Sequence, residues 1–266
     1  MVRHCNKKSD LIAFASQQST GEEKAPEFAV AAYADPFMPV RTVFFDLDGT
    51  LVDNFTAVAV ACNLTMRALG LPEIPYEKVR GAVGGSIVLT MQRLAGRELA
   101  PKAVQLYGGF FEEHWADDLR AMDGAAWLLD NLGQAGIRRA VLTNKNEAFS
   151  RRIVEHLGLD AKVENVIGTS EEGALRGYRK PRADFMAAAL ACMGAKAEEA
   201  LMVGDSPFDA EAGKNGGMAV RLVATGSHRA EELAGLGALA VHPDLYDLGG
   251  AAFGFRAILK DPPIKI

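Results

Sequence analysis

From Val40 onward, short uninterrupted apolar runs alternate with longer stretches whose apolar residues recur every three or four positions. Val43-Phe44-Phe45 is the first run and ends in a polar turn, the pattern of a short buried strand. Asn54 to Leu69 follows, with Phe55, Val58, Cys62, Met66 and Leu69 near helical spacing and Gly70 as a stop. Residues 71–120 keep that helical character: Val104, Tyr107, Phe111 and Trp115 recur at steps of three or four. No strand is predicted between Asn54 and Ala121. Within this block Met91 and Phe111 read as core, and His114 and Trp115 as packing residues.

The second half is regular. Strands are predicted at Arg139–Leu142, Asn165–Gly168, Ala200–Val203, Met218–Val223 and Leu239–Val241. Helices are predicted between them at Glu147–Leu157, Arg182–Met193 and Phe208–Lys214. Such alternation implies right-handed crossovers and a parallel sheet. The fold class expected is α/β: a Rossmann-like parallel sheet core flanked by helices, interrupted by an inserted α-helical cap. The expected division is a core of 38–53 and 121–255, a cap of 54–120 and a tail of 256–266. Residues 1–37 lack sustained periodicity and read as a poorly ordered extension. The globular pattern begins right after Met38, so 1–37 also reads as a mis-called start.

Composition narrows the function. Lys plus Arg is 29 against 34 Asp plus Glu, a net charge of −5, which disfavours a general nucleic-acid binder. No apolar run approaches the ~18–20 residues that span a bilayer. Leu11 to Ala15 is shorter than the ~7–15 residues of a secretory signal core. Cys5, Cys62 and Cys192 are scattered and form no CxxC pair, which fits a reducing, cytoplasmic setting.

In open parallel sheets, ligands bind beyond the carboxyl ends of the strands. Four such ends carry chemistry here. Asp46-Leu47-Asp48-Gly49-Thr50 places two carboxylates two positions apart, so an extended chain points them the same way. Gly49 permits a sharp turn and brings an N–H toward an anion. An isolated DxDG would read as a turn with solvated aspartates; the apolar strand before it and Leu51-Val52-Asp53 after it sharpen the match. Thr143-Asn144-Lys145 offers a hydroxyl and backbone N–H groups to a phosphate, with Asn146 placed to cap a helix. Arg179-Lys180-Pro181 brings a compact positive charge, or is a basic solvated loop together with Arg176 and Arg182. Gly204-Asp205-Ser206-Pro207-Phe208-Asp209 supplies two more carboxylates, with Ser206 as N-cap and Pro207 at the first helical position. Carboxylates are the hard oxygen ligands that Mg²⁺ prefers.

The order and spacing of these segments resembles the haloacid dehalogenase superfamily on its phosphatase side, over roughly 40–248. The cap segment Val79-Arg80-Gly81-Ala82-Val83-Gly84-Gly85 is similar to the phosphoglycolate phosphatase-like group. The resemblance implies Asp46 as nucleophile and Asp48 as general acid–base. It implies Mg²⁺ held by Asp46, the Asp48 carbonyl and Asp205, with Asp209 an outer partner. Gly49, Thr143, Asn144 and Lys180 would bind the phosphate, and Arg80, Gly84, Gly85 and Ser86 would select the substrate from the cap. The chain departs from the group in lacking a second proline after Pro181, in Gly213 and Lys214, in Asn54 and in its long lead.

The expected partner is a small anionic phosphorylated metabolite, best matched by 2-phosphoglycolate, with monomer and homodimer both open. A sugar, amino-sugar or nucleotide monophosphate is the alternative substrate. A sugar phosphomutase is the alternative reaction, since it also needs both aspartates. A silenced binding module would have lost a catalytic residue, and none is missing.

Overall fold

A computed structural model describes residues 40–170 and 177–257. The extension 1–37, Met38, Arg176 and most of the tail 256–266 lie outside the described residues.

The chain order begins β1 (Thr42–Phe45), β2 (Val52–Asp53), α1 (Phe55–Ala68), α2 (Tyr76–Ala82), α3 (Ile87–Ala95) and α4 (Ala100–His114). It continues β3 (Arg120–Ala121), α5 (Ala125–Gln134), β4 (Arg138–Asn146), α6 (Glu147–His156), β5 (Asn165–Thr169) and α7 (Ala183–Met193). It ends β6 (Ala200–Gly204), α8 (Pro207–Gly216), β7 (Ala219–Val223), α9 (Ala230–Leu233), β8 (Ala240–His242) and α10 (Leu245–Phe253). Six strands form one sheet in the order β5-β4-β1-β6-β7-β8, and every pairing in it is parallel. This is the expected α/β class, with helices on both faces.

Alternation along the strands builds the two layers. Val43 and Phe45 point to one face and pack with Leu128, Leu129, Leu132, Ile153, Val154 and Leu248. Phe44 points to the other and packs with Phe185, Met186, Ala189 and Leu233. A third cluster joins α1 to α4 through Ala61, Cys62, Met66, Val79, Met91, Ala103, Tyr107 and Phe111. Trp115 packs against both this cluster and the first face of the sheet.

The structure also holds elements outside the sequence pattern, the short α9 among them. β2 and β3 pair antiparallel, so a short strand begins at Arg120, inside the stretch expected to be free of strands. The sequence pattern predicts neither α5 nor α10. α5 has Gly124 at its N-cap and no side-chain cap, so its start carries little local signal. α10 contains Gly249 and Gly250, which weaken helix propensity. Its packing compensates: Trp127 lies so close to Gly249 that a Cβ there would sit 2.6 Å from the indole.

Candidate active site

The site lies beyond the carboxyl ends of β1, β4 and β6, the three central strands. Asp46 follows β1, and its N–H donates to the Val203 carbonyl at 2.9 Å. Asp205 follows β6, and Thr143 lies near the end of β4. Parallel pairing of these strands brings all three together. Lys180 precedes α7; its ammonium is 2.8 Å from Asp46 Oδ1 and 2.7 Å from Asp209 Oδ1.

Asp46, Asp205 and Asp209 each present an oxygen within 4.8 Å of the others. Burial pushes Asp46 up to about 7, with Lys180 opposing, and pushes Asp205 up to about 8, reinforced by Asp209 and Asp46. Three carboxylates beside one ammonium leave an excess of negative charge when all are ionised. A hard divalent cation would neutralise that excess, so the donor set fits Mg²⁺.

The rest of the cluster is tightly specified. Asp205 Oδ2 accepts from Ser227 N at 2.9 Å, and its Oδ1 accepts from Thr50 Oγ1 at 3.3 Å. A Cβ at Gly226 would fall 1.8 Å from Asp205 Oδ2. Asp209 closes a capping box on α8: its Oδ2 accepts from Ser206 N at 3.1 Å and Ser206 Oγ at 2.6 Å. Asp209 Oδ1 meets the Lys180 ammonium at 2.7 Å, so this carboxylate ties α8 to the lysine.

Asp48 stands apart from the acidic cluster. Its Oδ1 accepts from Asn54 Nδ2 at 2.6 Å and its Oδ2 from Lys145 Nζ at 2.9 Å. Asn54 is fully buried, and its own Oδ1 has no hydrogen-bond partner.

Two residues expected at the phosphate make contacts within the protein. The Gly49 N–H donates to the Val52 carbonyl at 2.8 Å and is not free for an anion. Gly49 is needed for its φ of +83° and for space, since a Cβ would lie 2.7 Å from Asp205 Oδ2. The Asn144 side chain grips Lys180, accepting from its N–H at 2.7 Å and donating to its carbonyl at 3.1 Å. Asn144 thus positions the lysine.

A cleft of about 490 Å³ opens over the site between the sheet and the helical block. Gly84, Gly85 and Ser86 line it, whereas Arg80 does not. Arg80 donates to the carbonyls of Gly226 at 3.1 Å and Thr225 at 3.0 Å, and lies over the Phe55 ring. It holds α2 to the loop that holds Asp205. Gly85 sits against Phe208, where a Cβ would be 2.5 Å from the ring. Ser86 caps α3 by accepting from Leu89 N at 3.3 Å.

The sequence pattern marks neither Ser227 nor Tyr107, which lines the cleft, for the site, and gives Asn54 and Lys145 no role in it. Lys145 and Asn54 adjoin recognised motifs, so their positions were a usable signal. Ser227 had none, because its contact depends on the approach of the loop after β7.

Aspartates thus stand at the ends of central parallel strands, and a lysine reaches them from the loop before α7. The sequence model of the haloacid dehalogenase-like hydrolase family matches residues 43–223, and the chain belongs to that family. Phosphoglycolate phosphatase of Rhodospirillum rubrum is 36% identical over 220 residues, covering 79% of this chain and 89% of that protein. Tyrosine-protein kinase PtkA of Mycobacterium tuberculosis is 31% identical over 192 residues, covering 72% of this chain and 64% of that protein. A haloacid dehalogenase-like family hydrolase from Streptococcus pneumoniae shares the fold with a TM-score of 0.72 at 21% identity, covering 80% of this chain and 98% of its own.

Proposed function

We propose that this chain, a phosphoric monoester hydrolase of its family, is a Mg²⁺-dependent phosphatase acting through an aspartyl-phosphate on 2-phosphoglycolate. The observation that carries this reading is the buried Lys180 ammonium, shared between Asp46 and Asp209 and adjoining Asp205. A lysine so placed is a fixed positive charge for a phosphoryl group, already oriented before substrate arrives. The phosphoglycolate phosphatase relatives support the substrate.

Asp46 attacks phosphorus in line with the leaving oxygen, forming a P–O bond to its carboxylate as the ester P–O bond breaks. Asp48 gives a proton to the departing alkoxide. It then takes a proton from the water that cleaves the acyl phosphate and regenerates Asp46. Lys180 and the Thr143 hydroxyl hold the phosphoryl oxygens; Asn144 holds Lys180. Asp46, the Asp48 carbonyl and Asp205 would hold Mg²⁺, with Asp209 behind them. When bound, Mg²⁺ supplies charge neutralisation for the phosphoryl oxygens. The helices between Asp53 and Arg120 act as a cap that excludes water from the closed cleft.

The test is phosphate release from a broad panel of phosphomonoesters with Mg²⁺, with Asp46→Asn as control. Mg²⁺-dependent release that is strongest on 2-phosphoglycolate and lost in Asp46→Asn is the expected result. Preference for a hexose phosphate would replace the substrate, and interconversion of hexose phosphates without release would replace the reaction.

A further inference from the structure

The cleft has two unlike walls. The sheet side carries the acidic cluster and Lys180. The opposite wall is largely apolar, with Val58, Val83, Ile87, Val104 and Phe111 facing the opening. Tyr107 belongs to that wall, 8% exposed and stacked on Phe111 at 5.3 Å between ring centroids. Among the described residues, no hydrogen bond reaches its hydroxyl. Its hydroxyl is not among the sealed buried atoms that lack a partner, so it opens to the cleft, which Tyr107 lines. Burial keeps Tyr107 protonated well above the usual tyrosine range, so it is available as a donor.

Lys145 supplies a second donor in the same cleft. Its ammonium meets Asp48 at 2.9 Å and lies 4.9 Å from the Phe111 ring centroid. Three N–H bonds exceed what one carboxylate oxygen and one ring face require. Glu112, the acidic residue of α4 in this wall, is paired with Arg152 at 2.6 Å. A phenol and an ammonium thus line the leaving-group side with donor capacity unspent.

We propose that Tyr107 and Lys145 together bind a carboxylate on the leaving group, so that the enzyme selects phosphomonoesters of short hydroxy acids. This rests on the phosphatase reading above and adds the residues that recognise the acid. Tyr107 donates from α4 and Lys145 from the end of β4, so the recognition pair is complete when cap and core are closed together. A neutral leaving group leaves both donors short of a partner, which penalises it.

The test compares kcat/KM for 2-phosphoglycolate and for ethyl phosphate, a two-carbon ester without the carboxylate, using the full chain with Mg²⁺. Wild type is expected to prefer 2-phosphoglycolate, and Tyr107→Phe to reduce that preference roughly 10-fold, chiefly through KM. Lys145→Gln is expected to reduce the preference too, while slowing both esters because Asp48 loses its partner. Calorimetry on Asp46→Asn gives a readout without turnover: adding Tyr107→Phe is expected to lower the ratio of affinities for 2-phosphoglycolate and inorganic phosphate. An unchanged preference in Tyr107→Phe, or a wild-type preference for ethyl phosphate, overturns the proposal while leaving the phosphatase reading intact. No release from either ester and no binding of inorganic phosphate would overturn both.

Discussion

Lys180 and Asp209 form an ion pair at 2.7 Å with side chains 2% and 0% exposed. Burial opposes the lysine's charge, yet Asp209 and Asp46 outweigh it and hold Lys180 above the ordinary lysine range. Because the pair is buried, removing one partner leaves an uncompensated charge. Asp209→Asn is expected to cost about 3 kcal/mol of stability in urea unfolding. It is also expected to lower phosphatase activity by ~100-fold or more, because Lys180 loses one of its two anchors. A variant as stable and active as wild type would show that Asp46 and Asn144 position the lysine without Asp209.

Mg²⁺ should stabilise the protein in a pH-dependent way. Asp46 and Asp205 titrate at about 7 and about 8 when folded without a cation, above their ordinary value of 3.8. For a carboxyl raised on folding, the stability contribution is present below the unfolded pKa and is lost as pH rises through the folded one. The cation-free protein therefore loses stability from these groups as pH rises from about 4 to about 8. Mg²⁺ replaces the protons, so its increment in Tm is expected to grow between about pH 5 and pH 8. An increment that is flat or shrinks over that range would contradict the assignment of these carboxylates to the cation.

Gly226 is expected to tolerate no side chain. A Cβ placed 1.8 Å from Asp205 Oδ2 must displace the carboxylate or the loop. Gly226→Ala should lower activity by ~100-fold or more and weaken the Mg²⁺-induced rise in Tm. Gly81 in α2 is the contrast, because nothing lies within 4 Å of a Cβ built there. Gly81→Ala should stabilise the protein by about 0.5–1 kcal/mol in urea unfolding.

Arg80 links the helical block to the loop around Asp205 through two carbonyls. Arg80→Lys keeps the charge but loses the fork that reaches both. A fall in kcat/KM of about 10-fold with a stability change under ~1 kcal/mol is expected from steady-state kinetics and thermal melting. Unchanged kinetics would show that the loop holds Asp205 without help from α2.

Much of the architecture was legible because buried parallel strands leave a strong local mark. Val43-Phe44-Phe45 and Leu201-Met202-Val203 are unbroken apolar runs, each followed by an aspartate within two residues. α8 announced itself through Ser206, Pro207 and Asp209, and the capping box is present. α10 is harder to read because its two glycines oppose helix formation, and only the close approach of Trp127 to Gly249 gives one of them a use. The Arg120–Ala121 strand is too short for any alternating pattern, and pairing with Val52–Asp53 alone defines it.

At the level of the site, the sequence by itself determined which chemical groups stand at the ends of the central strands. Asp46, Thr143 and Asp205 follow from strand periodicity, and Lys180 from its place just before a helix, which are local properties. Tertiary structure decided what each neighbouring group does. Lys145 meets Asp48 across 97 positions, and Arg80 meets Gly226 across 146. Local spacing cannot report such pairings, because a hydrogen-bonding group takes whatever partner the packed fold brings within reach. For that reason Asn144 and the Gly49 N–H turn inward to support the site, while the unspent donors Tyr107 and Lys145 become visible only when the helical block closes over the sheet.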